Sequence, residues 1–142
     1  MGINLVGTWQ NELGSTLTIE SVQSGVLSGT YETAVSDGSC AGGIKFQVSG
    51  VTDTDSGGHN IGFTVSWYTG SPKCNSVTAW SGQVLNPGPS QYINAFWLLT
   101  VESDQEDSWA ATHVGLDVFQ QGGSLSSEEI AEKSKVVRRS HP

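Results

Sequence analysis

The stretch that decides the fold is HNIGFTVSWYTGSPKCNSVTAWSGQVL, residues 59–85. It contains two runs, 59–68 and 75–85, in which apolar or aromatic residues alternate with small or polar ones. An alternation with a period of two is typical of a β-strand that buries one face. Only residues 69–74, which include the turn residues Gly70–Lys73, separate the runs, so the two strands are predicted to pair antiparallel as a hairpin.

Six further segments of the chain show the same pattern. The eight predicted strands cover approximately residues 3–11, 15–22, 26–35, 43–51, 59–68, 75–85, 91–101 and 108–120. No connection between them is long enough to hold a crossover helix, so neighbours in sequence should also be neighbours in the sheet. The predicted fold is therefore all-β, an eight-stranded antiparallel up-and-down β-barrel, which leaves no strand edge exposed. A barrel of this size can hold one small ligand in its mouth.

The C-terminal segment differs from the rest of the chain. The pair Gly122–Gly123 ends the strand pattern, and Ser126 and Glu129 have the spacing of a helix capping box. We therefore predict a barrel domain over residues 1–123 and a short tail over residues 124–142, either disordered or a short helix.

Composition and motifs exclude several functions. The net charge of −8 argues against nucleic acid and against an anionic membrane as partner, since both favour a basic surface. His59, His113 and His141 are scattered without metal-ligand spacing, and no nucleophile-elbow, zinc-protease or phosphate-binding motif occurs. We expect neither an enzyme nor a metal or cofactor. A hydrolase whose serine, histidine and aspartate meet only in space is kept as an alternative.

The two cysteines, Cys40 and Cys74, lie in separate loops rich in glycine, serine, proline and asparagine. Neither has the neighbouring cysteine or histidine that a zinc site requires. Two interpretations are open, a disulfide and a pair of free thiols, and loop cysteines in a chain of this type favour an oxidising compartment. The strand pattern starts directly after Met1 with no signal peptide, so we expect Met1 to begin a mature chain.

The five tryptophans fall on five different predicted strands, one each. They are Trp9, Trp67, Trp80, Trp97 and Trp109. Core packing is the ordinary role of tryptophan. Polar residues share the alternation with them, however, and an inward polar side chain is costly without a partner. A ligand with apolar ring faces and hydrogen-bonding edges would satisfy both groups, and the most notable polar residue is Asp117, between Leu116 and Val118 on a buried-looking strand.

Six motifs in register along residues 5–120 resemble those of the avidin/streptavidin family of biotin-binding proteins. The motifs are GTWQNELGST (7–16), SGTYETAV (28–35), GFTVSWY (62–68), NSVTAWSGQ (75–83), FWLLT (96–100) and DSWAATHVGLDVF (107–119). The first of them, GTW, also opens lipocalin barrels and decides nothing alone. The resemblance implies high-affinity, non-covalent binding of biotin in the mouth of the barrel.

The resemblance also implies a role for each site residue. Asn11, Ser15 and Tyr31 match the donors to the ureido oxygen of biotin, and Asp117 and Thr33 match the acceptors of its N–H groups. Thr78 matches the contact to the thioether sulfur, and Ser76 a hydroxyl that reaches the valeryl carboxylate. Apolar walls are implied for Trp67, Trp80, Trp97, Leu13, Val35 and Leu99.

Assembly and location follow from the same resemblance. Trp109 matches a tryptophan that the family donates to the pocket of a neighbouring subunit, which implies a homotetramer. Cys40 and Cys74 resemble the bridged loop cysteines of rhizavidin and bradavidin, which makes a homodimer the alternative. The family implies a secreted or periplasmic protein that sequesters the vitamin. A lipocalin-like carrier of another small ligand is the rival function.

Overall fold

The computed structural model describes residues 3–34, 44–68, 75–85 and 91–122. These residues form eight strands and two short 3-10 helices. The strands are β1 (Gly7–Asn11), β2 (Thr16–Gln23), β3 (Val26–Glu32), β4 (Lys45–Thr52), β5 (Asn60–Ser66), β6 (Ser76–Leu85), β7 (Tyr92–Val101) and β8 (Thr112–Gln121). The 3-10 helices are Thr54–Ser56 and Gln105–Ala110.

The strands form one closed barrel in sequence order, and every neighbouring pair is antiparallel. Closure is made by β1 and β8, which pair Trp9 with Gln121 and Asn11 with Phe119. The predicted up-and-down barrel is confirmed. Short turns permit this order, as at Ser24–Gly25, where φ values of 51° and 79° are those of a tight hairpin turn.

The interior of the barrel is filled by alternate residues of each strand. Side chains that are almost completely buried include Trp9, Leu17, Ile19, Leu27, Val48, Val65, Val84, Ile93 and Phe119. Because the sheet is a meander, the odd-numbered strands end where the even-numbered strands begin. We call this end of the barrel the mouth. The opposite end contains aliphatic residues such as Leu27, Val84 and Ile93 together with the buried Gln91, whereas an aromatic cluster lies toward the mouth.

The first strand starts later than the sequence predicts. Residues 3–6 are not a strand, although Leu5 is buried and its carbonyl accepts a hydrogen bond of 2.9 Å from Trp9 Nε1. The Gln121 side chain donates to the carbonyl oxygens of Asn4 and Val6, at 3.1 and 3.2 Å. The Gln121 side chain thus takes the place of a neighbouring strand as the hydrogen-bonding partner of residues 3–6.

The eighth strand also starts later, at Thr112 rather than residue 108, because Gln105–Ala110 forms a 3-10 helix. Local bonds stabilise this helix, from Asp107 N–H to the Asp104 carbonyl at 2.9 Å and from Ala111 N–H to the Ser108 carbonyl at 3.2 Å. No helix in the described part of the chain is long and apolar enough to cross a membrane.

The prediction of five tryptophans on five strands is therefore wrong. Trp9, Trp80 and Trp97 lie on strands, Trp67 follows the last residue of β5, and Trp109 lies in the second 3-10 helix. The sequence around Trp109 alternates as a strand does, but the hydrogen bonds of this segment are local. No sheet therefore directs the Trp109 side chain into the barrel.

Candidate functional site

An aromatic cluster lines the mouth of the barrel. Trp80 lies between Phe63, stacked at a centroid distance of 4.7 Å, and Tyr31, at 5.0 Å. Trp67 meets Trp80 edge to face at 6.4 Å and Phe46 at 4.9 Å. Such contacts add to the burial energy of each ring and fix its orientation. Trp67 and Trp80 therefore form preset apolar walls at the mouth.

Trp97 completes the aromatic cluster from β7. It lies directly across from Trp80 on β6 and from Gly115 on β8, so all three positions face the same side of the sheet. A Cβ atom at Gly115 would overlap Cζ2 and Cε2 of the Trp97 ring. The absence of a side chain at Gly115 thus leaves the space that the half-buried indole of Trp97 occupies.

Three hydrogen-bonding side chains converge beside these rings. Asn11 Oδ1 accepts the N–H groups of Leu13 and Ser15 at 3.1 and 2.9 Å, while Asn11 Nδ2 approaches the Tyr31 hydroxyl at 3.4 Å. Ser15 Oγ accepts the N–H of Ala34 at 2.9 Å and interacts with the Tyr31 hydroxyl. Asn11 and Ser15 therefore shape the first turn, and they also place an amide N–H and a hydroxyl next to a phenol.

Burial keeps the Tyr31 hydroxyl protonated. Desolvation raises the pKa of Tyr31 well above its ordinary value, and the negative charge of Asp117 raises it further. Tyr31 is only 3% exposed. The phenol is therefore a neutral O–H donor over the whole physiological pH range.

Asp117 is the one buried carboxyl group among the described residues, with 6% of its surface exposed. Trp80 Nε1 donates to its Oδ2 at 2.8 Å. Desolvation raises the pKa of Asp117 to about 7, and the nearby negative charge of Glu12 raises it too, against the lowering effect of bonds from Trp80 and Asn11. A strongly raised carboxyl pKa in a pocket is typical of a functional site.

Two further polar groups lie on the same inner face. Thr78 is buried and its hydroxyl accepts a hydrogen bond of 2.7 Å from Trp67 Nε1. Half-buried Leu99 pairs with Thr78 across the β6–β7 ladder, and Ser76 follows Thr78 in the alternation toward the mouth. Thr33, half-buried just after β3, has its hydroxyl 3.5 Å from Ser15 Oγ.

Not every residue of the predicted site is gathered here. Leu13 is 59% exposed and Trp109 is 84% exposed in this single chain. Val35, Cys40 and Cys74 lie outside the described residues, as does the tail at 124–142. Among the described residues, no group of three histidine, cysteine, aspartate or glutamate side chains is arranged to hold a metal ion.

Sequence reasoning missed Glu12, Phe46 and Phe63 as parts of the site. Phe63 was detectable, because Phe63, Val65 and Trp67 occupy every second position of the strand pattern and therefore share one face. Glu12 gave no signal, because its contact is with the backbone N–H of Val118, 106 positions away in the sequence.

The structure is a closed eight-stranded meander whose mouth combines fixed indole rings with buried hydrogen-bonding groups. These features define a class of small barrels that enclose one small ligand. A sequence profile of the avidin family matches residues 1–122 of this chain. The chain belongs to the avidin family, so the resemblance found in the sequence motifs is confirmed.

Individual relatives span most of the barrel. Avidin of Gallus gallus is 34% identical over 122 residues, covering 82% of this chain and 76% of the relative. Avidin-related protein 4/5 of Gallus gallus is 34% identical over 120 residues, with the same two coverages. Afifavidin of Afifella pfennigii is 33% identical over 112 residues, covering 79% of this chain and 65% of the relative.

Proposed function

We propose that this protein binds biotin non-covalently in the mouth of the barrel and does not turn it over. The observation that carries the proposal is the convergence of three neutral donors and one buried carboxyl group beside preset aromatic walls. A cyclic urea has the complementary groups, because its ring has one carbonyl oxygen, two N–H groups and two apolar faces. Membership of the avidin family supports the same ligand.

The ureido oxygen would lie where Asn11, Ser15 and Tyr31 meet. Asn11 Nδ2 and the Tyr31 hydroxyl are already 3.4 Å apart, so a single acceptor can be reached by both. Fixed donors aimed at one oxygen stabilise the partial negative charge that a polarised urea carries, and they need no reorganisation when the ligand arrives.

The two ureido N–H groups would donate to Asp117 and Thr33. Asp117 is already oriented by the 2.8 Å bond that its Oδ2 accepts from Trp80 Nε1. Thr78 would contact the thioether sulfur, and Ser76 would reach the valeryl carboxylate. Apolar contacts would come from Trp67, Trp80, Trp97, Leu99, Leu13 and Val35, of which Val35 lies outside the described residues.

Calorimetric titration of the vitamin-free protein with biotin tests the proposal, with the melting temperature as a second readout. Binding should release heat, and free biotin at about a thousand times the dissociation constant should stabilise the protein by about 4 kcal/mol. Asp117→Ala should weaken binding, whereas Glu20→Ala, which removes an exposed carboxylate on β2, is the control. An absence of both heat and a melting shift would refute biotin binding, and recovery of a hydrolysed biotin ester would refute a purely binding role.

We also propose that Trp109 enters the mouth of a neighbouring copy. Its indole is 84% exposed, and the outward residues Leu98 and Val114, paired across β7 and β8, are more than half exposed. An apolar outer face beside an exposed tryptophan suits self-association, with a homotetramer as first choice and a homodimer as second.

Light scattering with and without biotin measures the assembly. Trp109→Ala should speed biotin dissociation by about 30-fold, the effect of losing a buried tryptophan contact of about 2 kcal/mol. Trp109→Phe should restore part of the loss. An unchanged dissociation rate in the alanine variant would disprove donation of this side chain.

A location outside the cytoplasm and a role in sequestering the vitamin complete the proposal. The loop cysteines Cys40 and Cys74 support this location, because an oxidising compartment permits a disulfide between them. Mass spectrometry of protein purified without reductant should find two hydrogens fewer than the reduced chain. Detection of two free thiols would count against the bridge.

A further inference from the structure

The barrel is closed by a short seam between β1 and β8. The seam consists of three residue pairs and ends at Asn11 opposite Phe119, whereas β7 and β8 share nine pairs. In the described part of the chain, residues 112–118 of β8 therefore have a strand partner on one side only, which is β7. Asp117, the buried carboxyl group of the candidate site, lies in this one-sided stretch.

The Glu12 side chain extends the seam by one step. In the register of β1 and β8 the residue after Asn11 would lie opposite Val118, but β1 ends here and the backbone turns toward β2. Glu12 Oε2 accepts the N–H of Val118 at 3.0 Å instead. Val118 is completely buried, and a buried N–H without an acceptor is costly. The carboxyl oxygen therefore replaces the backbone carbonyl that the seam no longer provides.

This hydrogen bond joins the two parts of the mouth that hold the polar groups. Glu12 belongs to the turn between β1 and β2, in which Asn11 Oδ1 accepts the N–H of Ser15 at 2.9 Å. No other described residue of the turn at 12–15 makes a hydrogen bond to β8. Because the bond reaches the residue next to Asp117, it fixes the backbone that holds this carboxyl group.

We propose that Glu12 is a positioning residue of the ligand site: its side chain clamps the open end of the seam and so holds Asp117 at a fixed distance from the donors of the first turn. The inference rests on the proposed function for the ligand, which would accept from the turn and donate to Asp117. The clamp itself belongs to the ligand-free protein. Without it, β8 can separate from the turn, and the ligand loses its acceptor on one edge.

The chemistry of the clamp distinguishes the possible side chains at position 12. Glutamine has the same length as glutamate and keeps an oxygen that can accept the N–H of Val118. Aspartate keeps the charge but is shorter by a methylene group, so its oxygens should fall short of that N–H. Alanine has no acceptor. The clamp therefore depends on the reach of an acceptor and not on its charge.

The dissociation rate of biotin at one fixed pH measures the effect on the site. Glu12→Ala and Glu12→Asp should release biotin about tenfold faster than the wild type, the factor that corresponds to one hydrogen bond, and Glu12→Gln no faster than the wild type. Glu20→Ala, which removes an exposed carboxylate on β2, is the matched control and should leave the rate unchanged. A wild-type rate in Glu12→Ala, or release from Glu12→Gln as fast as from Glu12→Ala, would overturn the proposal.

A second comparison separates positioning from general support of the fold. In Asp117→Ala the group that the clamp positions is absent, so adding Glu12→Ala should change the release rate by less than about threefold. A further increase of about tenfold in that background would show that Glu12 acts on the mouth without Asp117, and the proposal would be wrong.

Hydrogen exchange of the ligand-free protein, followed by nuclear magnetic resonance, tests the clamp without reference to biotin. The Val118 amide should exchange at least about tenfold faster in Glu12→Ala than in the wild type, and it should stay slow in Glu12→Gln. The amides of β4, which is paired on both sides, serve as the reference. Equal exchange of the Val118 amide in the wild type and Glu12→Ala would rule out the clamp.

If Glu12→Ala does not fold, Glu12→Asp and Glu12→Gln still decide, because both keep a polar side chain and differ in reach. Slow exchange of Val118 and slow biotin release in Glu12→Asp, with both fast in Glu12→Gln, would assign the effect to charge and overturn the proposal. Failure of the wild type to bind biotin would refute the proposed function, and the exchange of Val118 would still test the clamp.

Discussion

Replacing Asp117 by asparagine should make the ligand-free protein more stable, and by an amount that depends on pH. Asparagine has nearly the same shape, and its Oδ1 can accept the hydrogen bond from Trp80 Nε1. What it removes is a carboxyl group whose pKa burial raises from 3.8 to about 7. A shift of this size corresponds to about 4 kcal/mol between the two protonation states.

The direction in which stability changes with pH follows from proton uptake by Asp117. The folded pKa of Asp117 lies above the unfolded one, so between about pH 4 and pH 7 the folded state binds more protons than the unfolded state. The stability contributed by this group is therefore complete below pH 4, decreases as the pH rises to 7, and is lost above it. The asparagine side chain does not titrate. The unfolding free energy of Asp117→Asn relative to that of the wild type should therefore increase by up to about 4 kcal/mol between acidic and alkaline pH.

Guanidinium unfolding followed by tryptophan fluorescence, at several pH values and one protein concentration, measures the difference. The concentration must be held constant because any assembly of subunits adds to the apparent stability. A difference in unfolding free energy that does not change between about pH 4 and pH 8 would refute the assignment of Asp117 as a desolvated carboxyl group. The same variant should bind biotin more weakly, so its stability and its affinity should move in opposite directions.

Two other substitutions give separate tests of the structure. Gly115→Ala should displace the Trp97 ring, cost about 1–3 kcal/mol of stability and speed biotin release. Gly62→Ala is the control, because a Cβ at Gly62 meets only the Trp80 carbonyl oxygen, at 3.5 Å, and should be tolerated. Equal effects of the two substitutions in denaturation and release assays would contradict the packing of Trp97 against Gly115. Hydrogen bonds from Asn60 lower the pKa of Asp53, so Asp53→Asn should destabilise the protein above about pH 4, with the difference vanishing as the pH falls through the folded pKa. A loss of stability that is the same at every pH would show that charge is not what Asp53 contributes.

Much of the barrel was predictable from local pattern. The alternation of Phe63 and Val65 with polar neighbours places both side chains inside, and short turns leave antiparallel neighbours as the only pairing. The ends of strands were less predictable. A side chain, Gln121, satisfies the carbonyl groups of Asn4 and Val6, and no pattern in residues 3–6 contains that information.

The site was predictable where a residue is both unusual and in a strand. Asp117 stood out because a carboxyl group flanked by apolar residues needs a reason, and the structure buries it against Trp80. Trp109 was misplaced, because local backbone bonds rather than a sheet determine its segment. Glu12 was overlooked because its partner is brought near only by the closing of the barrel.

The pairing of β1 with β8 has a consequence for the order in which the chain acquires its properties. All other strand pairs join neighbours in sequence and form as the chain emerges, whereas this pair joins residues more than a hundred positions apart. Until β8 is synthesised the sheet has two open edges and lacks Asp117, so an incomplete chain is both prone to edge-to-edge aggregation and unable to present the carboxyl group to a ligand. The acquisition of ligand affinity should therefore coincide with the disappearance of the last free edge, and a ligand added to folding chains should capture only those that have closed.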